Sequence, residues 1–353
     1  MARDVKVVIN LAKPTTSVGF GYPLIFEGKA TTAIEYTECY NIDEVIRLVG
    51  GITDADDEKA VATKTETAKA TNIYKAALLL FMQDKSPERV AVYATTDVAT
   101  TGLAAILHHG WRQLIVVSVD KEGEDSRKVI SDYIETTEKM YYTSVASVSD
   151  LAGDAAIEGN DKTVILCHED DVEAVVFPEA ALVGATAGKA AGSITYKNQI
   201  LKALTPKILT EDEIKAIHEA HAIAFILSSG DGVTSEGIAT SDEYIDIVDA
   251  QDYIVQNIGY RIEKLLHNVD KVPYDNTGIS MLENACVTVL QEAANNGIIA
   301  TTDDGLPDYD VTFKPRSATK PSDRATRRYI EGAFRFALAG AIHTVEVTGT
   351  IEI

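Results

Sequence analysis

Four places in this sequence hold residue types that do chemistry in other proteins, and their spacing decides what each can do. In "GATAGKA" (Gly184–Ala190) two glycines and a lysine imitate a phosphate-binding loop. Such a loop needs four residues between its glycines, so that backbone N–H groups wrap the phosphates, and a Ser or Thr after the lysine for Mg²⁺. Here the glycines stand one residue too close and Ala190 offers no hydroxyl. The stretch reads as a small-residue helix that packs closely. In "IHEAHA", His218 and His221 stand three apart, whereas a zinc protease helix sets its histidines at i and i+4 with the base between them. With no third ligand evident, both read as structural.

Cys167 and His168 end the run "TVILCHE". A strand turns neighbouring side chains to opposite faces, so this thiol and imidazole are not a nucleophile with its base. Cys167 reads as buried core. His108 and His109, adjacent in a helical stretch, are expected to point in different directions and not to chelate together. Nothing of the form G-x-S-x-G marks a serine nucleophile. After the strand-like "RVAVYAT" and "LIVVSV" come "TDVATTG" and "DKEGEDS", which lack the glycine run that wraps a pyrophosphate. The expectation is no catalytic residue, no metal and no cofactor.

One charge feature stands out. Between Lys314 and Arg335 the basic residues are Lys314, Arg316, Lys320, Arg324, Arg327, Arg328 and Arg335, against the acids Asp323 and Glu331. The arginines are expected on or at the start of a helix, "SDRATRRYIEGAFRFALAG". The strip is either a solvated helix face with pairs such as Arg327–Glu331 or a surface for an acidic partner.

The elements that position these residues follow from periodicity. From about Lys64 to Gly192, helical stretches alternate with nearly continuous apolar runs: "KTETAKATNIYKAALLLFMQ", "RVAVYAT", "VATTGLAAILHHG", "RQLIVVSV", "EDSRKVISDYIETTEK", "YYTSVASV", "DLAGDAAIEG" and "TVILCHE". That order predicts right-handed βαβ units on a mostly parallel sheet. An Ala-rich helix follows, with Pro178 as a kink or a new start. Thr210 and Glu213 form a capping box, and "IAFILSSGDGVTSEGIAT" reads as two strands joined through glycine turns. Beyond about Ser241 come two long helices, then "DDGLPDYDVTF" as a turn and strand. In the second helix Ile279, Leu282, Cys286, Val289 and Ala293 share one face and Gly297 is the stop.

Both ends read as strand-like arms. "DVKVVINLA" places Val5, Val7 and Ile9 on one face, and "KPTTSVGFGYP" after it is a tether. At the other end Val345, Val347, Ile351 and Ile353 alternate with Thr344, Glu346, Thr348, Thr350 and Glu352, the period of a half-buried strand. Such a strand needs an edge to pair with and a surface to cover its apolar face.

The 353 residues allow two domains. With 54 acidic and 32 basic residues the net charge is −22. This argues against a general nucleic-acid binder and against docking on anionic lipid. The start shows no long apolar h-region and no run approaches a membrane span. Cys39, Cys167 and Cys286 are few and far apart, which fits synthesis in a reducing cytoplasm.

From about Ala180 onward the order of features resembles the tail sheath proteins of contractile phage tails, prophages and R-type bacteriocins. The resemblance rests on "AALVGATAGKAAGSITYKNQILKAL", "LTEDEIKAIHEAHAIAFIL", "VTSEGIATSDEYIDIVDAQDYIVQNI", "NVDKVPYDNTGISMLENACVTVL" and "SDRATRRYIEGAFRFALAGAIHTVEVTG"; the first half is similar in architecture. It implies a mixed α/β fold: an outer α/β domain with a mostly parallel sheet, a smaller inner α+β domain, and extended N- and C-terminal strand arms. The divisions are 1–22 (arm), 23–240 (outer), 241–341 (inner) and 342–353 (arm). It also implies a structural subunit, not an enzyme, that polymerises helically as stacked rings around a tail tube, with arms exchanged between neighbouring copies, and contracts to drive the tube through an envelope. Baseplate and tail terminator proteins are the other implied partners, with no nucleic acid and no membrane bound by the sheath itself. The location implied is a virion tail or tail-like particle. Lys320, Arg324, Arg327, Arg328 and Arg335 are the candidates for gripping an acidic tube. Two alternatives stay open: an α/β enzyme or small-molecule binder whose last strand completes its own sheet, and a self-assembling tube or scaffold that never contracts.

Overall fold

The computed structural model describes residues 21–120, 123–153, 157, 159–170 and 176–343. The N-terminal arm residues Val5, Val7 and Ile9 and the C-terminal Val345, Val347, Ile351 and Ile353 lie outside the described residues.

Eight strands form the main sheet: β1 (Leu24–Glu27), β2 (Ile34–Cys39), β3 (Val90–Ala94), β4 (Gln113–Val116), β5 (Met140–Val145), β6 (Thr163–Cys167), β7 (Ile223–Ser228) and β8 (Asp231–Thr234), in the order β2-β3-β1-β4-β5-β6-β7-β8. From β3 to β7 every neighbouring pair is parallel; β2 and β8 are antiparallel edges. The apolar runs are continuous because both faces are covered. Ile25 faces one side with Val92, Ile115, Tyr142 and Leu166, while Leu24 and Phe26 face the other with Leu114, Val116 and Tyr141.

Helices α1 (Ile42–Val49), α2 (Glu58–Lys69) and α3 (Asn72–Phe81) follow β2; α4 (Ala99–Ile106), α5 (Arg127–Glu135) and α6 (Val148–Gly153) connect the parallel strands; α7 (Pro178–Thr186) and α8 (Glu211–Glu219) precede β7. The single helix expected over "KTETAKATNIYKAALLLFMQ" is two. Thr71 takes extended backbone and its hydroxyl accepts from the Tyr74 N–H, which ends α2 and caps α3. Pro178 opens α7 at its first turn instead of kinking it, and the Thr210–Glu213 capping box is present.

α7 is buried along its whole length and packs on α3. This is why "GATAGKA" is rich in small residues: a Cβ on Gly184 would lie 2.3 Å from the Leu80 carbonyl oxygen, and one on Gly188 2.2 Å from that of Lys85. The stretch is a helix contact with no room for a phosphate.

The remainder is built on α9 (Ile245–Asn268) and α10 (Asn276–Asn295), followed by β9 (Tyr309–Phe313), the one-turn α11 (Pro321–Ala325) and β10 (Gly332–Phe336). β9 and β10 form a separate antiparallel pair. The first turn of α9 buries Ile245 and Val248 in the main core. Its middle buries Ala250, Ile254 and Ile258 with Cys286, Val289 and Leu290 of α10 and with β9 and β10. α9 therefore belongs to both units and joins them.

The last helix expected over "SDRATRRYIEGAFRFALAG" is not there. Pro321 starts a single turn, Arg327 takes φ +57°, and the chain then runs as β10. The alternation of Phe334, Phe336 and Leu338 with Ala333, Arg335 and Ala337 has period two, and an extended backbone lets Phe336 and Leu338 both lie against the α9–α10 cluster. His108 and His109 also differ from expectation. They sit past the end of α4, so helical geometry does not separate them, and their ring centroids are 4.2 Å apart.

Gly184→Ala is expected to lower unfolding stability by about 1–3 kcal/mol through overpacking against α3. A denaturant midpoint measurement would check this, and an unchanged midpoint would show that α3 and α7 separate freely.

Candidate functional site: the sheet edges and the C-terminal basic strip

In a doubly wound sheet, ligands sit at the carboxyl ends of the strands where the strand order reverses. Here that place lies between β1 and β4, and it is filled by the chain itself. Asp125, fully buried, accepts from the Ala99 N–H at the start of α4 at 2.6 Å and pairs with Lys29 at 2.9 Å. Lys29 also meets Asp120 at 3.1 Å, and the Gly28 N–H donates to Ser118 Oγ at 2.8 Å. An internal carboxylate thus takes the position that an anion would take at a helix N-terminus.

The histidines are likewise committed. His218 Nε2 lies 2.8 Å from Ser235 Oγ. His221, at φ +51° beyond α8, lies 3.7 Å from Asp242. His109 stacks on Tyr36 at 3.8 Å, and burial, with the charge of His108 second, holds its pKa below the ordinary value. Cys167 and His168 are both buried; Cys167 packs with Ile217 of α8, and His168 turns to Asp170 at 3.3 Å. No cluster of three metal-ligating side chains occurs among the described residues, and no helix among them is long and apolar enough to cross a membrane.

Glu179, in the first turn of α7, is only 3% exposed. Burial pushes its carboxyl up to about 7, against the opposing hydrogen bond from Ser144 and the charge of Arg127.

At the amino ends of the strands stands a buried charge cluster that sequence reading did not single out. Arg112, 2% exposed and just before β4, pairs with Asp249 at 2.9 Å and Asp252 at 2.8 Å, both on α9. It also donates to the Glu138 carbonyl. Asp249 accepts from the Tyr196 hydroxyl at 2.8 Å, and Lys162, just before β6, pairs with Asp252. Gly192 lies against Ala250, where a Cβ would come within 2.7 Å. The available signal was Asp249 and Asp252 at i, i+3 on the core-facing side of α9. Their partner Arg112 is 137 residues away, beyond any local pattern.

The basic strip forms the loop between β9 and β10, braced by aromatic rings. Tyr329 stacks on Phe313 at 5.7 Å and donates to the Lys314 carbonyl, and Tyr274 donates to that of Arg328. Two of the five candidates are used internally. Arg324 donates to the carbonyls of Thr319 at 2.5 Å and Arg316 at 3.1 Å, holding the turn, and Arg335 on β10 pairs with Asp308 at 3.1 Å. Glu331 pairs with Lys314 at 2.6 Å, not with Arg327. Lys320, Arg327 and Arg328 are exposed and make no ion pair among the described residues. The small sheet puts Tyr309, Val311, Phe313 and Phe336 toward α10, and β9 and β10 have no further strand partner among the described residues.

A doubly wound body is thus linked by one helix to a two-stranded sheet. Over 99% of both chains it superposes on the anti-feeding prophage (AFP) helical sheath in its contracted state, with TM-score 0.66 at 13% identity. Likeness to the contracted sheath of an extracellular contractile injection system, PVC, covers 100% of this chain and 98% of that one, with TM-score 0.69 at 11% identity. A chain of the AFP baseplate structure aligns over 100% of both, with TM-score 0.66 at 12% identity. Comparison with curated proteins finds no match. Residues 245–351 match the family described as E217 tail sheath protein gp31-like, C-terminal domain. The chain thus shares the fold of these contractile sheath proteins, and its residues 245–351 match a tail sheath C-terminal-domain family.

Two outcomes follow. Arg112→Ala leaves Asp249 buried without its cation and should cost about 3–5 kcal/mol in chemical denaturation; a loss under 1 kcal/mol would mean water reaches the pair. Glu179 holds a proton in the fold that the unfolded chain gives up above its ordinary value of 4.5. Its contribution is therefore fully present below pH 4.5 and lost as pH rises through about 7. Glu179→Gln should flatten that part of the melting-temperature profile between pH 5 and 8 and raise the pH 8 value.

Proposed function

We propose that this chain is the structural subunit of a contractile tail sheath, polymerising helically around a tail tube and contracting to drive it through a target envelope. The observation that carries this reading is the sheath fold over the full length of the chain. The two-stranded β9–β10 sheet fits it physically. One face is buried on α10 and both long edges lack partners among the described residues. Open edges of this kind accept an added strand. The alternating arms around Val5, Val7 and Ile9 and around Val345, Val347, Ile351 and Ile353 are the strands that neighbouring copies would add. The working division is an arm over 1–22, an outer domain over 23–240, an inner domain over 241–341 and an arm over 342–353, with α9 as the link.

Contraction on this reading draws on conformational free energy: bodies rotate while exchanged strands keep the lattice connected. A non-enzymatic role is supported by Asp125 occupying the start of α4, where a nucleotide phosphate would bind. Lys320, Arg327 and Arg328 are the residues available to an acidic tube surface, while Arg324 and Arg335 support them from within. Baseplate and terminator proteins complete the partner set, and the subunit is made in the host cytoplasm before joining the particle.

Electron microscopy of the full chain beside one ending at Ala341 tests the assembly. Long hollow tubes from the full chain, lost on truncation, are expected. A small particle unaffected by truncation would instead mean that the last strand closes its own sheet. In co-sedimentation with the tube, Lys320, Arg327 and Arg328 changed to Glu should weaken binding on the order of tenfold at low salt and less at high salt; unchanged binding would remove the strip from the tube contact.

A further inference from the structure

Two stretches of the described chain join the unit of α10, β9 and β10 to the main body, and they are held differently. The first is α9, whose early turns are buried in the core and fixed at Asp249 and Asp252 by Arg112. The second is the return from β10. It stays paired with the residues after α10 as far as Ala339, whose N–H donates to the Ile298 carbonyl at 2.9 Å. Gly340, Ala341 and Ile342 then cross to the main body as an exposed strap. They make no hydrogen bond among the described residues, Ile342 is 83% exposed, and a Cβ on Gly340 would meet nothing within 4 Å.

His343 ends the strap in a socket, with its side chain 13% exposed. Nε2 lies 2.8 Å from Thr195 Oγ1, Nδ1 lies 3.0 Å from Glu236 Oε1, and the Tyr244 ring at the N-cap of α9 meets the imidazole edge-on at 4.9 Å. The main body sets this socket without the histidine. Lys197 Nζ holds Glu236 Oε2 at 2.9 Å, and the Gly237 N–H donates to Oε1 at 3.2 Å. The Lys197 N–H donates to Thr195 Oγ1 at 3.3 Å. A return held through one side chain in a polar, preformed socket opens by exchanging a few hydrogen bonds for water. Withdrawing α9 would instead expose core residues and leave buried charges unpaired. Gly340, between the last paired residue and the socket, gives the strap its backbone freedom.

We propose that His343 is a releasable clasp on the root of the C-terminal segment. Closed, it starts that segment from the main body, beside Tyr244. Open, the segment starts from Ala339 on the small unit and gains residues 340–343, about 13 Å of extended chain. That length is the slack that would let bodies rotate while exchanged strands stay paired. This use rests on the sheath reading; the clasp itself does not.

The test places spin labels on Lys59→Cys of α2 and Ile342→Cys of the strap in the full chain at high dilution, where the native cysteines are buried. A narrow distance distribution is expected, and His343→Ala should broaden it at least twofold. A second pair, Lys59→Cys with Asp304→Cys in the turn before β9, should keep its width, because the small unit stays on α9. Glu236→Gln and Thr195→Val attack the socket from the other side. Each should broaden the first distribution alone and add nothing to His343→Ala. Proteinase K should nick the strap several-fold faster in His343→Ala than in the parent. Equal widths and equal nicking rates with and without His343 would overturn the proposal, as would additive broadening by the socket variants. So would broadening of both label pairs together, which would make the contact a brace for the whole unit, or a parent strap cut no faster than the chain unfolds. All readouts use single subunits. Failure to form tubes would therefore count against the sheath reading alone, and loss of the clasp would leave that reading standing.

Discussion

The guanidinium of Arg112, buried between the main sheet and α9, is the contact on which the relation of the two units depends. It is held by Asp249 and Asp252, and those carboxylates are held in turn by Tyr196 and Lys162. A buried ion pair gains little net stability over an apolar contact of the same shape, because both charges must leave water. What it supplies is geometry, since a planar fork and two carboxylates meet in few arrangements. Ile245 and Val248 pack just before it and Ala250 and Ile254 just after. The angle at which α9 leaves the sheet is thereby set, and with it the position of α10 and the β9–β10 pair.

This arrangement uses the two edges of the sheet differently. At the carboxyl edge, where folds of this topology hold ligands, Asp125 and Lys29 fill the space at the start of α4. At the amino edge, Arg112 and Lys162 reach outward to a helix that carries the second unit. On the proposed sheath reading, a body closed at one edge and joined to a second unit at the other fits a mechanical role.

Most of the main sheet was legible because its signals are local. The runs of β3 to β7 were apolar, the Thr210–Glu213 capping box marked α8, and a parallel sheet follows from the alternation of strands with helices; β1, β2 and α1, before Lys64, were not read. The basic strip was found by composition but misplaced by periodicity. Arg, Ala and Glu favour helix, and that preference masked the period-two alternation of Phe334 and Phe336. Contact with α10 decided the matter. The strip's five cations looked equivalent in sequence, and the fold divides them, since Arg324 turns back onto the Thr319 and Arg316 carbonyls and Arg335 finds Asp308, 27 residues away.

What the sequence by itself determined is most of the main sheet's alternating elements and which motifs lack the spacing their chemistry needs: glycines too close for a phosphate loop and histidines out of register for a zinc helix. These are properties of neighbours along the chain. What only the tertiary structure decided is which distant groups meet. Arg112 and Asp249 are 137 residues apart, and Thr195 and His343 are 148 apart. Such pairs form only when a packed sheet fixes both ends, because desolvation makes a buried charge tolerable at one geometry and costly at others.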